Sequence, residues 1–263
     1  MVFWLLQPNR VEAKALPPAG TPIWTRPGSF DVAAADDKAV YLSGQRVFAA
    51  ADAHTGRSLW SVPGPLEFVA QDEKALYGIE SGLLLAIHKV NGAAMWAIQA
   101  GSNIWIADDK VYMNNDPNWS VWNAATGDQL FQIRIGSSQG MLLSNGIAYL
   151  SVNDPDTLVF AVNASDGKKL WNLTHDELLR SALPCADATQ AVTDMQQQNG
   201  TLVLTVECSN MTNYGAVIAL NALSGKKIWS VDALSDATQT FIKDGTVFIL
   251  WSPLGAEFGS AQA

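Results

Sequence analysis

Apolar and polar positions alternate along this chain in short runs, and the runs come in sets of three. AVYL at 39–42, ALYG at 75–78, KVYM at 110–113, IAYL at 147–150 and TLVL at 201–204 each follow a turn signal. Those signals are Asp36-Asp37-Lys38, Asp72-Glu73-Lys74, Asp108-Asp109, Asn145-Gly146 and Asn199-Gly200. A second run (RVFAAA, LLLAIH, SVWNA, LVFAVN or AVIALN) leads into a polar turn, and a third (SLWSV, AMWAI, QLFQI, KLWNL or KIWSV) leaves it. Apolar runs of this length between turn residues read as β-strands. The pattern predicts three antiparallel strands per unit, with room for a fourth between copies.

The turn between the second and third runs is spelled the same way five times: DAHTGRSLW from Asp52, HKVNGAAMW from His88, NAATGDQLF from Asn123, NASDGKKLW from Asn163 and NALSGKKIW from Asn221. Asp or Asn folds its side chain onto the backbone two residues on, and Gly takes positive φ without steric cost. His88 breaks the Asp/Asn pattern in the second copy. The turn glycines Gly56, Gly92, Gly127, Gly167 and Gly225 are 36, 35, 40 and 58 residues apart, a period that marks a repeat architecture. Four residues after each stands a large aromatic: Trp60, Trp96, Phe131, Trp171 and Trp229. Six residues before the glycine stand Ala50, Ala86, Ala161 and Ala219, with Val121 the exception. A small residue there leaves room for a bulky neighbour, for which the tryptophan is the natural candidate.

A four-stranded sheet of this length cannot cover its own faces, so the units must stack, and radial stacking gives a β-propeller. The repeat resembles that of the pyrroloquinoline-quinone (PQQ) enzymes, the quinoprotein alcohol dehydrogenase-like superfamily, from about Trp24 to Trp251. The resemblance implies an all-β propeller of four-stranded antiparallel blades in which the tryptophan docks each blade against the next. The family is shared by quinoprotein dehydrogenases, the propeller lipoprotein of the outer-membrane assembly machine and other extracytoplasmic proteins. Five complete repeats are visible. PIWT at 22–25 reads as a lone last strand, and TFI at 240–242 with TVFILW at 246–251 as the first two strands of a further unit. Two expectations follow: six blades, the last closed by both termini, or a fragment of a seven- or eight-bladed ring.

Composition narrows the function classes. With 16 Lys plus Arg against 25 Asp plus Glu, the net charge of -9 opposes nucleic acid and anionic lipid surfaces. MVFWLL at the start is too short to span a bilayer. Residues 1–21 read as a leader, the remnant of an export signal or anchor, or as a Pro/Gly-rich linker, residues 22–252 as the propeller and 253–263 as a tail.

Candidate chemistry is sparse. His54, His88 and His175 are widely spaced and fit no His-x-x-x-His, nucleophile-elbow, phosphate-loop or dinucleotide fingerprint. Asn153-Asp154-Pro155-Asp156 lacks the spacing of a calcium loop and reads as a turn. The fifth unit is longer than the others, the excess falling mostly in His175 to Gln198, where 176–183 could form a short helix; such an insertion is either a recognition loop or a tolerated decoration without function. Cys185 and Cys208 both lie in this unit and are a candidate disulfide, which would imply an oxidising compartment; two buried free thiols are the alternative. Alcohol-oxidising members of the resembled family carry an adjacent Cys-Cys disulfide, a Glu/Asn/Asp calcium set and an Asp base, none of which can be placed here. The expectation is a non-catalytic, extracytoplasmic scaffold that binds a protein or cell-envelope ligand through its loop face, without cofactor. Alternatives are a PQQ- and calcium-dependent oxidoreductase or its remnant, and the ligand-sensing ectodomain of a larger receptor.

Overall fold

The structure, a computed structural model, describes residues 24–154, 156–175, 189–209, 214–233 and 239–250. Among these residues five sheets have four strands each, hydrogen-bonded in chain order. The first holds β1 (Asp31–Ala35), β2 (Ala39–Gly44), β3 (Val47–Asp52) and β4 (Ser58–Pro63). The second holds β5 (Glu67–Gln71), β6 (Ala75–Glu80), β7 (Leu83–His88) and β8 (Ala94–Gln99), and the third β9 (Asn103–Ala107), β10 (Lys110–Asn115), β11 (Asn118–Asn123) and β12 (Gln129–Arg134). The fourth holds β13 (Ser137–Ser144), β14 (Ile147–Asn153), β15 (Thr157–Asn163) and β16 (Lys169–Thr174). The fifth holds β17 (Thr189–Gln198), β18 (Thr201–Ser209), β19 (Tyr214–Asn221) and β20 (Lys227–Ala233). A two-stranded sheet follows, β21 (Gln239–Lys243) and β22 (Thr246–Leu250), where the further unit was expected. The fold is an all-β propeller of four-stranded antiparallel blades.

The three runs legible in each repeat are strands two to four, and the fourth strand is the first of each blade. The middle strands are buried on both faces, as in β3 and β10, where the four central residues are all buried; β4 and β12 alternate. Burial on both faces is what makes the middle runs continuously apolar. First strands such as β9 are only half-buried throughout and no repeated turn opens them, which is why the pattern left only room for them. The tail of the expected insertion is one of them: Thr189 to Gln198 is β17, not loop. The proposed helix at 176–183 lies outside the described residues.

The chain divides into two compact units, one through Ala97 and one from Ile98 onward. In the first, a cluster of Tyr41, Phe48, Trp60, Leu66, Leu76 and Ile87 joins blades one and two. In the second, Tyr112, Trp119 and Val121 pack on Ala148, Leu150 and Val162 between blades three and four, and Tyr149, Leu158 and Val159 on Leu202, Leu204 and Ile218 between blades four and five. No helix among the described residues is long and apolar enough to cross a membrane.

Candidate functional site

The repeated turns share one geometry. The backbone N–H of each glycine donates to the carbonyl four residues back: Gly56 to Asp52, Gly92 to His88, Gly127 to Asn123, Gly167 to Asn163 and Gly225 to Asn221, all at 2.8–2.9 Å. The glycines sit at φ between 68° and 74°. The Asp52 carboxylate accepts the N–H groups of His54 and Thr55, and Asn123, Asn163 and Asn221 act alike. His88 substitutes for them by accepting the Val90 N–H on Nδ1.

Three of the turn glycines, Gly92, Gly167 and Gly225, are also the floor beneath an aromatic ring from the preceding blade. A Cβ on Gly92 would stand 2.6 Å from the Trp60 ring, one on Gly167 2.6 Å from Phe131, and one on Gly225 2.7 Å from Trp171. The indole N–H then donates to the carbonyl three residues before the glycine: Trp60 to Lys89 at 2.7 Å and Trp171 to Ala222 at 3.0 Å. Trp24, from the segment read as a lone last strand, is not in a strand, but it makes the same contacts with Gly56 and Ala53. Trp229 packs on Val203, Val217 and Ala219, the cluster that also receives Ile242, Val247 and Ile249 of the two-stranded sheet.

The small residue predicted to make room does lie against the aromatic. Ala50 pairs across the strands with Trp60, Ala161 with Trp171, Ala219 with Trp229, and Val121 with Phe131. On the other side of the alanine stands a tyrosine, Tyr41, Tyr77 or Tyr149, so tyrosine and tryptophan rings meet above it at 6.1, 5.8 and 6.0 Å. All five lie on the edge strand of their sheet; Trp60 is buried there, whereas Trp96, Phe131, Trp171 and Trp229, expected to be buried, are half-buried.

Between blades one and two opens a cleft of about 840 Å³ lined by Asp36, Asp37, Asp72, Glu73, Lys89 and Tyr41, among others. Lys89 stands where the other four copies of the turn have alanine: Ala53, Ala124, Ala164 and Ala222. Its ammonium meets the Asp36 carboxylate at 3.1 Å and lies 5.6 Å from the centre of the Tyr41 ring. Tyr41 OH donates to Asp36 at 3.1 Å, and Tyr77 OH to Asp72 at 2.5 Å. Burial raises the Asp36 pKa, but the N–H of Lys38, the Lys89 ammonium, the N–H of Ala39 and the Tyr41 hydroxyl outweigh it, and the net shift is downward. Asp72 is lowered too: burial opposes, and the Tyr77 hydroxyl, the N–H groups of Ala75 and Lys74 and the charge of Lys89 prevail. Sequence reading passed over this site, although the Lys-for-Ala departure from the repeat was the available signal.

Elsewhere the described residues hold little chemistry. His175 Nε2 lies 3.0 Å from the Asp154 carbonyl, and Asp154 Oδ1 accepts the N–H groups of Asp156 and Thr157, an ordinary turn. No group of three His, Cys, Asp or Glu among the described residues is placed to hold a metal ion. Cys185 lies outside the described residues, and Cys208 is described only as backbone of β18, so their expected pairing falls outside them as well.

Residues 10–240 match the protein family described as outer membrane protein assembly factor BamB. The chain is 27% identical over 171 residues to quinoprotein ethanol dehydrogenase of Pseudomonas putida, covering 61% of this chain but only a quarter of that enzyme's length (25%). Among solved structures it resembles BamB from Moraxella catarrhalis (TM-score 0.52, 14% identity, 81% of this chain and 67% of that one). It also resembles the computationally designed Ika8 protein (TM-score 0.55, 15% identity, 83% and 70%). At these identities the structural likeness speaks for the propeller fold.

Proposed function

Because this chain belongs to the BamB family, we propose that it is a non-catalytic propeller acting outside the cytoplasm as a scaffold for protein or cell-envelope ligands. The observation that carries this reading is the division of labour within the repeat. The residues that recur, tryptophan and glycine, pack one blade on the next, as Trp60 does on Gly92 and Trp171 on Gly225. The residues that vary stand at the exposed tips of the same turns: His54, Val90, Ala125, Ser165 and Leu223. Val90 and Leu223, at two of these tips, are 77% and 72% exposed. The extracytoplasmic location is supported by the family; a Cys185–Cys208 disulfide would add to it, and the enlarged fifth unit is the favoured contributor to recognition.

A second reading, a quinone-dependent oxidoreductase or its remnant, is favoured by the kinship with quinoprotein ethanol dehydrogenase. The donor set does not fit the group: the two cysteines are not adjacent in sequence, and the described residues offer no three-ligand cluster for a calcium ion. Quinone chemistry needs a positioned base as well as the cofactor. Two experiments separate the readings. A photo-cross-linking residue at His54, Ala125, Ser165 or Leu223, in the native host, should trap one recurrent partner in the cell-envelope fraction; an even spread of soluble proteins would count against the scaffold. Incubation with pyrroloquinoline quinone and calcium, followed by a dye-linked assay on alcohols and aldoses, should give no turnover above the protein-free control. Quinone-dependent turnover would put the oxidoreductase first.

A further inference from the structure

We propose that the cleft between blades one and two receives a cationic side chain, Lys or Arg, carried beside an aliphatic residue on an extended segment of a partner protein. This rests on the scaffold reading and names the chemistry of one contact. Four observations point to it. The first is the break in the repeat. Four turns have Asp or Asn followed by Ala; the second has His88 and Lys89, and it is the turn that faces the cleft. Local departures from an otherwise consistent pattern concentrate at functional sites. A methyl would fill the slot at no electrostatic cost, whereas Lys89 must be held by Asp36 and the Tyr41 ring.

The second observation is charge. The turn before β2 and the turn before β6 hold Asp36-Asp37 and Asp72-Glu73 at matching places in adjacent blades, and all four carboxylates line the cleft against two ammonium groups, Lys38 and Lys89. Blades four and five have Asn145-Gly146 and Asn199-Gly200 there instead. Lys89 is committed to Asp36. Asp37 and Glu73 are exposed, and no hydrogen bond or ion pair holds either carboxylate among the described residues. The third is an unused acceptor: Gln71 Oε1 is shielded from solvent without a donor, while its Nε2 donates to the Ala35 carbonyl. A buried acceptor left unpaired is destabilising, and an N–H brought to it by an occupant relieves that cost.

The fourth is that the lining is not only acidic. Leu59 and Val90 line the same cleft, 43% and 77% exposed. An occupant that satisfies both walls carries a positive head and an apolar neighbour, which a Lys or Arg next to Leu, Ile or Val supplies. At about 840 Å³ the cleft has room for both. An anionic lipid or nucleic acid meets the wrong sign.

The probe is Nα-acetyl-leucyl-arginine amide, titrated into the ¹⁵N-labelled full chain and followed by amide shifts. The control is the same peptide with citrulline, which keeps the shape and loses the charge. Shifts should cluster at Asp37, Glu73 and Val90 and saturate in the millimolar range, and the citrulline peptide should produce none. The Asp37→Asn/Glu73→Gln double variant, altered only at exposed turn positions, should bind about fivefold more weakly with unchanged amide dispersion, and ~0.5 M salt should act in the same direction. Shifts elsewhere, equal binding of the citrulline peptide, or unchanged affinity in the double variant would overturn the proposal. Agmatine binding as tightly as the peptide would overturn the aliphatic part and with it the partner segment. Probe binding without an envelope partner at the turn tips retains the cleft and removes the scaffold reading; capture of a partner without probe binding does the reverse.

Discussion

At the scale of single residues, the docking aromatics show how one slot is filled in different ways. Blade one uses Phe48 and Trp60, with rings 6.0 Å apart; blade three reverses the sizes with Trp119 and Phe131, 5.9 Å apart. Phe48 and Trp119 occupy equivalent places, two residues before Ala50 and Val121, so the exchange conserves ring volume. The reversal leaves donors unused: Phe131 has no indole N–H, and the buried Trp119 Nε1 and Tyr112 OH find no partner among the described residues. Burial, helped by the charge of Asp108, pushes the Tyr112 hydroxyl up to about 12. Phe131→Trp alone should therefore overpack against Trp119 and cost about 1–3 kcal/mol in urea denaturation. Adding Trp119→Phe should recover most of that loss, with a coupling of about 1 kcal/mol or more. Additive single effects would show that the two rings do not share one volume. Trp60→Ala, which empties a buried site, should cost about 3–5 kcal/mol, and Trp171→Ala, half-buried, less.

At the scale of the element, the turns carry two separable demands. Gly146 and Gly92 both sit at positive φ, 74° and 73°, but a Cβ on Gly146 meets nothing within 4 Å whereas one on Gly92 meets the Trp60 ring at 2.6 Å. Gly146→Ala should cost only the left-handed backbone strain, about 1–2 kcal/mol. Gly92→Ala adds the clash to it and should lower Tm further; equal effects would mean that the ring moves aside freely. The first turns of blades one and two add a pH dependence. Asp36 and Asp72 both have folded pKa values below the ordinary carboxylate value, so their contribution is fully present above about pH 4 and is lost as pH falls through the depressed values. Urea denaturation at a series of pH values should show stability declining below about pH 4, and Asp36→Asn should flatten that decline. The same slope in the variant would assign the acid sensitivity to other carboxylates.

At the scale of the whole molecule, titration of the denatured, unreduced protein with a thiol reagent should find no free cysteine if Cys185 and Cys208 are bonded. Two reactive thiols would remove the disulfide and its support for an oxidising compartment. Much of the architecture was legible in advance, because a repeat announces itself locally: the turn glycine and the aromatic four residues on are read within nine consecutive residues, and the runs of strands two to four flank them directly. The alanine facing the tryptophan was legible for the same reason, since hairpin register follows from the turn. The first strands were not, being half-buried and opened by no repeated turn. Nor was it evident that Trp60 rests on Gly92, Phe131 on Gly167 or Trp24 on Gly56, because these partners belong to different blades and only stacking brings them together. Lys89 is the clearest case. In sequence it is one departure from alanine in five copies; in the folded chain it is a cation beneath Asp36, at the mouth of the acidic cleft. Sequence alone determined the repeat and the chemistry of each turn, since both depend on near neighbours and backbone sterics. Tertiary structure alone decided which turn faces which aromatic and which charges share a cleft, since those contacts join residues tens of positions apart.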